Sequence, residues 1–123
     1  MKIAIPVKMN KENPPLAPLF GKAKWFAMID DDKVEIVKNE QNGGRAVIEW
    51  LDNLGIDTII FQEMGHTPYE IVKEIGSMEL FHAGYERILL DDILAKFKND
   101  TLEMIDDTNI DAIIKHHEGK HSH

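Results

Sequence analysis

Any chemistry done by this chain must come from histidine, carboxylate and amine groups, because its 123 residues include six histidines and no cysteine. Disulfides and thiolate-held zinc or iron-sulfur clusters are therefore excluded. A metal has to be held by imidazole, carboxylate, methionine or backbone oxygen. Four histidines, His116, His117, His121 and His123, crowd into the last eight residues. If a final helix runs through them, His117 and His121 stand one turn apart, a spacing that can hold Zn²⁺, Ni²⁺ or Cu²⁺ between two rings. Gly119 weakens such a helix, so a flexible chelating tail and a plain solvated terminus account for the same residues. His66 differs in kind, since it follows Gly65 in the turn between an apolar run and a helix. An imidazole there can meet a ligand, and a lone loop histidine can equally be a surface residue.

The same turn is suited to anions. Residues 55–61 form a short β-branched run, and Thr67, Pro68 and Glu70 then carry helix-start signals. Thr67 serves as N-cap, Pro68 fits the first helical position, and Glu70 can reach back to the Thr67 amide, which makes a capping box. Unsatisfied amides at a helix start attract negative charge, and Gly65 lets a ligand approach the backbone closely. On a purely structural reading, Gly65 makes the turn and Thr67 caps the helix. Two more cationic candidates sit beside glycines, Lys22 in Leu19-Phe20-Gly21-Lys22 and Arg45 after Gly43-Gly44. Phosphate-loop, dinucleotide and nucleophile-elbow motifs are all missing. The only two serines, Ser77 and Ser122, lack an activating setting. Carboxylates are plentiful, yet most fall in turns or at helix starts, so no acid-base pair stands out. Binding is favoured over catalysis.

The elements that must position these groups follow from hydrophobic spacing. Residues 2–7 read as a strand, with Pro6 limiting it to a sheet edge or to its own end. Residues 8–19, with Pro14, Pro15 and Pro18, form a long ordered loop, and loops of that length are often functional. Residues 25–29 and 34–37 make a hairpin around the solvated Asp30-Asp31-Asp32 turn. Val47, Leu51 and Leu54 repeat at helical spacing, and Gly55 supplies the C-terminal cap. A strand over residues 58–63, a helix from Pro68 to about Ile75 and a strand over 78–82 complete a βαβ unit. Leu90, Ile93, Leu94 and Phe97 mark another helix, residues 101–105 read as a strand or a trailing turn, and Asn109 caps a last short helix. The order predicts an α/β fold of three layers, a mixed β-sheet flanked by helices with a right-handed crossover. Residues 1–108 form one domain, and 109–123 a short helix with a histidine-rich tail.

A net charge of −8 argues against a nucleic-acid partner. No apolar run approaches the ~20 residues of a membrane span, and the apolar start of the chain is too short for a signal peptide, so a cytoplasmic protein is expected.

Taken in order, the Lys2-Ile3-Ala4-Ile5-Pro6 opening, Leu19-Phe20-Gly21-Lys22-Ala23-Lys24-Trp25-Phe26, Gly55-Ile56-Asp57 and Glu63-Met64-Gly65 resemble the nitrogenase iron-molybdenum cofactor biosynthesis family. These are small carrier and accessory proteins whose domain also occurs fused at the end of cofactor-biosynthesis protein B. The resemblance spans about residues 1–106. It implies a ribonuclease H-like fold without that nuclease's catalytic carboxylates, and binding of an iron-sulfur or iron-molybdenum-type cluster or its precursor, with cofactor-biosynthesis proteins as partners. The family's loop commonly reads His-Phe-Gly-Arg. Here Leu19 replaces the imidazole, and Lys22 keeps the charge without arginine's bidentate fork. Under this resemblance the site is a mouth formed by Phe20, Gly21, Lys22, Gly65, His66 and Thr67, with Arg45 nearby and His66 as substitute imidazole. Rival readings are a metal buffer working through the tail, a hydrolase or transferase acting on a phosphorylated small molecule, and a protein-interaction module.

Overall fold

A computed structural model describes residues 1–121, with side chains through residue 118. Its centre is a six-stranded sheet in the order β3-β2-β1-β4-β5-β6. Strand β1 (Lys2–Val7) runs antiparallel to β2 (Trp25–Asp30), which forms a hairpin with β3 (Lys33–Lys38). On its other side β1 runs parallel to β4 (Thr58–Phe61), β4 parallel to β5 (Glu79–His82), and β6 (Glu103–Ile105) closes the edge antiparallel to β5. This is the mixed sheet that the order of elements predicts, with the ribonuclease H-like layout that the family resemblance implies. The undecided segment after residue 101 is thus a strand. Pro6 is the penultimate residue of β1, in register with Phe26 of β2 and beyond the Ile3 and Ala4 pairs with β4. Its C=O accepts the Ala17 N–H, so its backbone faces the proline loop and its missing N–H removes no bond to β2.

Two-residue periodicity divides the core into two layers. Ile3, Ile5, Val7, Ala27, Ile29 and Ile60 face helix α3 (Leu90–Lys98). Ala4, Phe26, Ile59 and Phe61 face α1 (Gly44–Asn53), α2 (His66–Ile75) and α4 (Ile110–His121). A slip of one residue would exchange the two faces, so burial on both sides fixes the register. Each fully buried Ile, Leu or Phe contributes about 1.5–3 kcal/mol relative to exposure.

Helix ends follow the sequence in part. Gly55, at φ +82°, ends α1 as expected: its N–H donates to Asp52 C=O and the Ile56 N–H donates to Leu51 C=O, the paired bonds of a Schellman turn. Gly76, also left-handed, ends α2. The start of α2 differs from expectation. The helix begins at His66 with Gly65 as N-cap and no side-chain cap bond, so the Thr67 capping box does not form. Pro68 then falls on the third helical residue, whose N–H lacks an intrahelical partner anyway, so the earlier start sacrifices no bond. Asn109 also departs from a simple cap, bonding back to Asp106 N–H and Met104 C=O.

Strand β4 ends at Phe61, two residues before the end expected from the sequence at Glu63. The cause is a competing partner. Glu63 N–H donates to Pro18 C=O at 3.0 Å, and Phe20 N–H donates to Glu63 C=O at 3.2 Å. The chain beyond Phe61 thus leaves the β5 ladder and joins the proline loop. At its other end that loop is fastened to the start of α3, through Leu16 N–H to Ile88 C=O and Leu90 N–H to Pro14 C=O. Among the described residues no helix is long and apolar enough to cross a membrane.

Candidate functional site

Where β4 gives way to the loop, three backbone turns meet over a cleft of about 340 Å³ lined by Leu19, Phe20, Gly21, Lys22, Gly43, Gly44, Glu63, Gly65, Pro68 and His117. Phe20 anchors the first wall. It is buried, edge-on to Phe26 at 5.5 Å, and Phe26 in turn meets Trp50. Glycines let the walls approach one another. A β-carbon on Gly44 would stand 2.9 Å from the Pro68 ring, one on Gly21 3.6 Å from the Gly44 amide nitrogen, and one on Gly65 3.4 Å from His117 Nε2. The amino termini of α1 and α2 are therefore brought together by the absence of side chains.

Both helices begin at glycines, Gly43 and Gly65, that line the cleft, and neither has a side-chain cap bond. Their partial positive ends, with Lys22 on the rim, favour a negatively charged occupant. At the floor, the Glu63 carboxylate is only 2% exposed, and its Oε1 lies 3.6 Å from His117 Nδ1. The cleft thus combines cationic walls with one carboxylate–imidazole pair.

The structure gathers Phe20, Gly21, Lys22, Gly65 and His117 into this lining. It places the other candidates elsewhere. Arg45 and Thr67 are exposed in the first turns of α1 and α2. His66 is two-thirds exposed, with Nε2 3.7 Å from Glu70, its neighbour one turn on. His116 lies against Tyr85, ring centres 4.0 Å apart. The side chains of His121 and His123 lie outside the described residues, and among those described no group of three His, Asp or Glu converges on a metal position. Glu63, Gly43, Gly44 and Pro68 were not singled out as site residues from sequence. The available signal was Glu63 itself, a carboxylate in an otherwise uncharged run from Thr58 to Gly65.

A larger depression of about 530 Å³ between residues 83–88 and α3 sets Arg87 and Lys96 beside Glu86 and Asp92. Its mixed charges select neither sign, and Asp92 already occupies the first turn of α3 there, so the glycine-lined cleft is the better site.

Beside the cleft, His82 donates its Nε2–H to Gln62 C=O at 2.9 Å and packs against the rings of Phe61 and Tyr85. Burial lowers the His82 pKa from its ordinary value, outweighing the bond to Gln62 and the charge of Glu103. Burial likewise raises the Tyr85 hydroxyl, helped by Glu63 and Glu103. Tyr69, on α2, is raised by burial and by its 2.6 Å bond to Asp107, while bonds from Tyr69 and Lys73 lower Asp107. That link ties α2 to the turn before α4.

The His82 shift fixes a pH dependence. Between its ordinary value of about 6.5 and its lower folded value, unfolded chains bind a proton that folded chains do not, so stability rises with pH across that window. We expect the urea midpoint to fall as pH drops below about 6.5, and His82→Gln to reduce that fall.

Sheet order and cleft together define a small α/β domain of ribonuclease H-like layout, with a ligand-sized mouth where a central parallel strand ends. The chain belongs to the dinitrogenase iron-molybdenum cofactor family, whose sequence model matches residues 1–100. It is 30% identical over 86 residues to the protein MJ0580 of Methanocaldococcus jannaschii, a match covering 62% of this chain and 70% of that one. Its fold is similar to the apo form of the orange protein from Desulfovibrio gigas, with TM-score 0.74 at 16% identity over 85% of this chain and 92% of that one. It is similar also to the NifB-like protein TM1290 from Thermotoga, with TM-score 0.70 at 22% identity over 84% and 91% of the two chains. At these identities the structural likeness speaks for the fold alone. Strand β6 and helix α4, with His117, lie beyond the family match.

Proposed function

We propose that the protein is a cytoplasmic carrier or accessory factor that holds an iron-sulfur or iron-molybdenum-type cofactor, or its precursor, and passes it to cofactor-biosynthesis proteins without turnover. The observation that carries this reading is the meeting of two helix amino termini, both started by glycine, over one cleft with Lys22 on its rim. Such a mouth suits an anionic cargo that approaches backbone closely. Family membership supplies the class of cargo.

The donor set is consistent with a cargo that brings its own ligands. A bare ion needs about four donors. Among the described residues the cleft offers one imidazole and one buried carboxylate, and the chain contains no thiolate. A preassembled sulfide-bearing complex needs only a complementary charge and at most one protein ligand. The glycine gaps at Gly21, Gly44 and Gly65 leave backbone, rather than side chains, to meet it.

Anaerobic reconstitution with an iron-sulfur cofactor precursor, followed by metal analysis and absorption spectroscopy, tests the reading. One cluster per chain and no turnover is the expected outcome. Lys22→Glu should weaken uptake about tenfold at low salt, by removing about 0.5–1 kcal/mol of attraction and adding a similar repulsion. Absence of any uptake, or turnover of a phosphorylated small molecule, would overturn the carrier assignment.

A further inference from the structure

Helix α4 lies outside the family match, yet it forms one wall of the cleft. Ile110 and Ile113 are buried in the core under α1 and α2. One turn further on, the same face delivers His117 to the cleft. The ring has a defined orientation there: Nδ1 faces the buried Glu63 carboxylate at 3.6 Å, and Nε2 stands 3.4 Å from the position that a Gly65 β-carbon would take. Metal-binding histidines characteristically turn one ring nitrogen to a carboxylate, which fixes the tautomer and makes the other nitrogen a better donor. A side chain at position 65 would meet that second nitrogen, and glycine there provides none.

From this arrangement we infer that His117 Nε2 is a protein ligand to the metal of the cargo, with Glu63 as its positioning residue. The inference rests on the carrier reading and narrows it. Among the described residues the cleft supplies one imidazole, and the chain has no thiolate, so the cargo is a preassembled complex carrying at least one exchangeable ligand. Binding is then a substitution. The Nε2 lone pair forms the new bond to the metal, and the displaced ligand departs with its own electron pair, so neither metal nor protein changes oxidation state. His66, on the exposed flank of α2, takes no part.

A synthetic [4Fe–4S] cluster bearing four small exchangeable thiolates is a suitable probe. The full chain is loaded anaerobically, the cluster is reduced, and pulsed electron paramagnetic resonance is used to detect a coupled imidazole nitrogen. The expected spectrum shows that coupling in the unaltered protein and in His66→Ala, and lacks it in His117→Ala. Glu63→Gln should keep the coupling but weaken binding about 10–100-fold, and Gly65→Val should crowd Nε2 and diminish the coupling. Circular dichroism of each variant separates a lost ligand from a lost fold. A coupling that persists in His117→Ala, or that disappears in His66→Ala, overturns the assignment of His117 while leaving the carrier reading intact. Failure of the unaltered protein to take up the cluster overturns both.

Discussion

Phe61→Ala should lower the stability of the domain by about 3–5 kcal/mol. Phe61 is the last residue of β4, is wholly buried, and packs in the layer beneath α1 and α2 with its ring 5.8 Å from that of His82. Its carbonyl accepts the Ala83 N–H at 2.9 Å, so the backbone on either side is held and cannot collapse into the vacated space. Loss of transfer energy and an unfilled cavity then add. For a domain of this size the melting temperature should fall by about 10–20 °C. Thermal and urea unfolding measure the effect. Phe61→Leu, which keeps most of the volume, should cost less than about 1.5 kcal/mol, and equal losses in the two variants would contradict a tightly packed β4.

Gly44→Ala is expected to act on stability and binding together. Its new β-carbon would meet Pro68 Cδ and Cγ at 2.9 Å, and a proline ring closed on its own backbone cannot rotate away. Relief requires the amino termini of α1 and α2 to separate, at a cost of about 1–3 kcal/mol. Separation also reshapes the cleft, so cluster uptake should fall about tenfold or more, since a misplacement near 1 Å in a preorganised site is costly. Combining Gly44→Ala with Pro68→Ala removes the two closest ring atoms and should recover part of both losses. Additive effects in the double variant would show that the two residues do not press on each other.

Sequence periodicity made most of the architecture legible. Alternating apolar residues marked β1 and the β2–β3 hairpin, helical spacing marked α1 and α3, and glycine marked the ends of α1 and α2. Signals that depend on a distant partner were not legible. The strand expected to run to residue 63 stops at Phe61, because the carbonyl of Pro18 and the amide of Phe20 bind the backbone of Glu63 in place of the β5 ladder. Thr67, Pro68 and Glu70 carry all the local marks of a capping box, yet the helix starts earlier and Glu70 lies beside His66 instead.

The candidate site was readable on the same terms. Phe20, Gly21, Lys22 and Gly65 could be chosen because glycine and charge mark ligand loops locally, and they do share one lining. From sequence His117 is a metal-ligand candidate paired with His121 or part of a terminal tail, since nothing nearby in sequence indicates that α4 sets it beside a carboxylate more than fifty residues earlier. His66 was favoured by proximity to Gly65, but in a helix adjacent residues project about 100° apart, and its side chain leaves the cleft.

The double fastening of the proline loop bears on how quickly the cleft can be filled. Its backbone is bonded to Glu63 through Pro18 and Phe20 and to Ile88 and Leu90 through Leu16 and Pro14, so the conformational entropy of residues 14–20 is already lost when the domain folds. A cargo arriving at Phe20 and Gly21 meets a wall that needs no ordering. Uptake should therefore follow a single exponential whose rate rises linearly with cargo concentration. A rate that levels off at high concentration would mean that a slow rearrangement precedes capture.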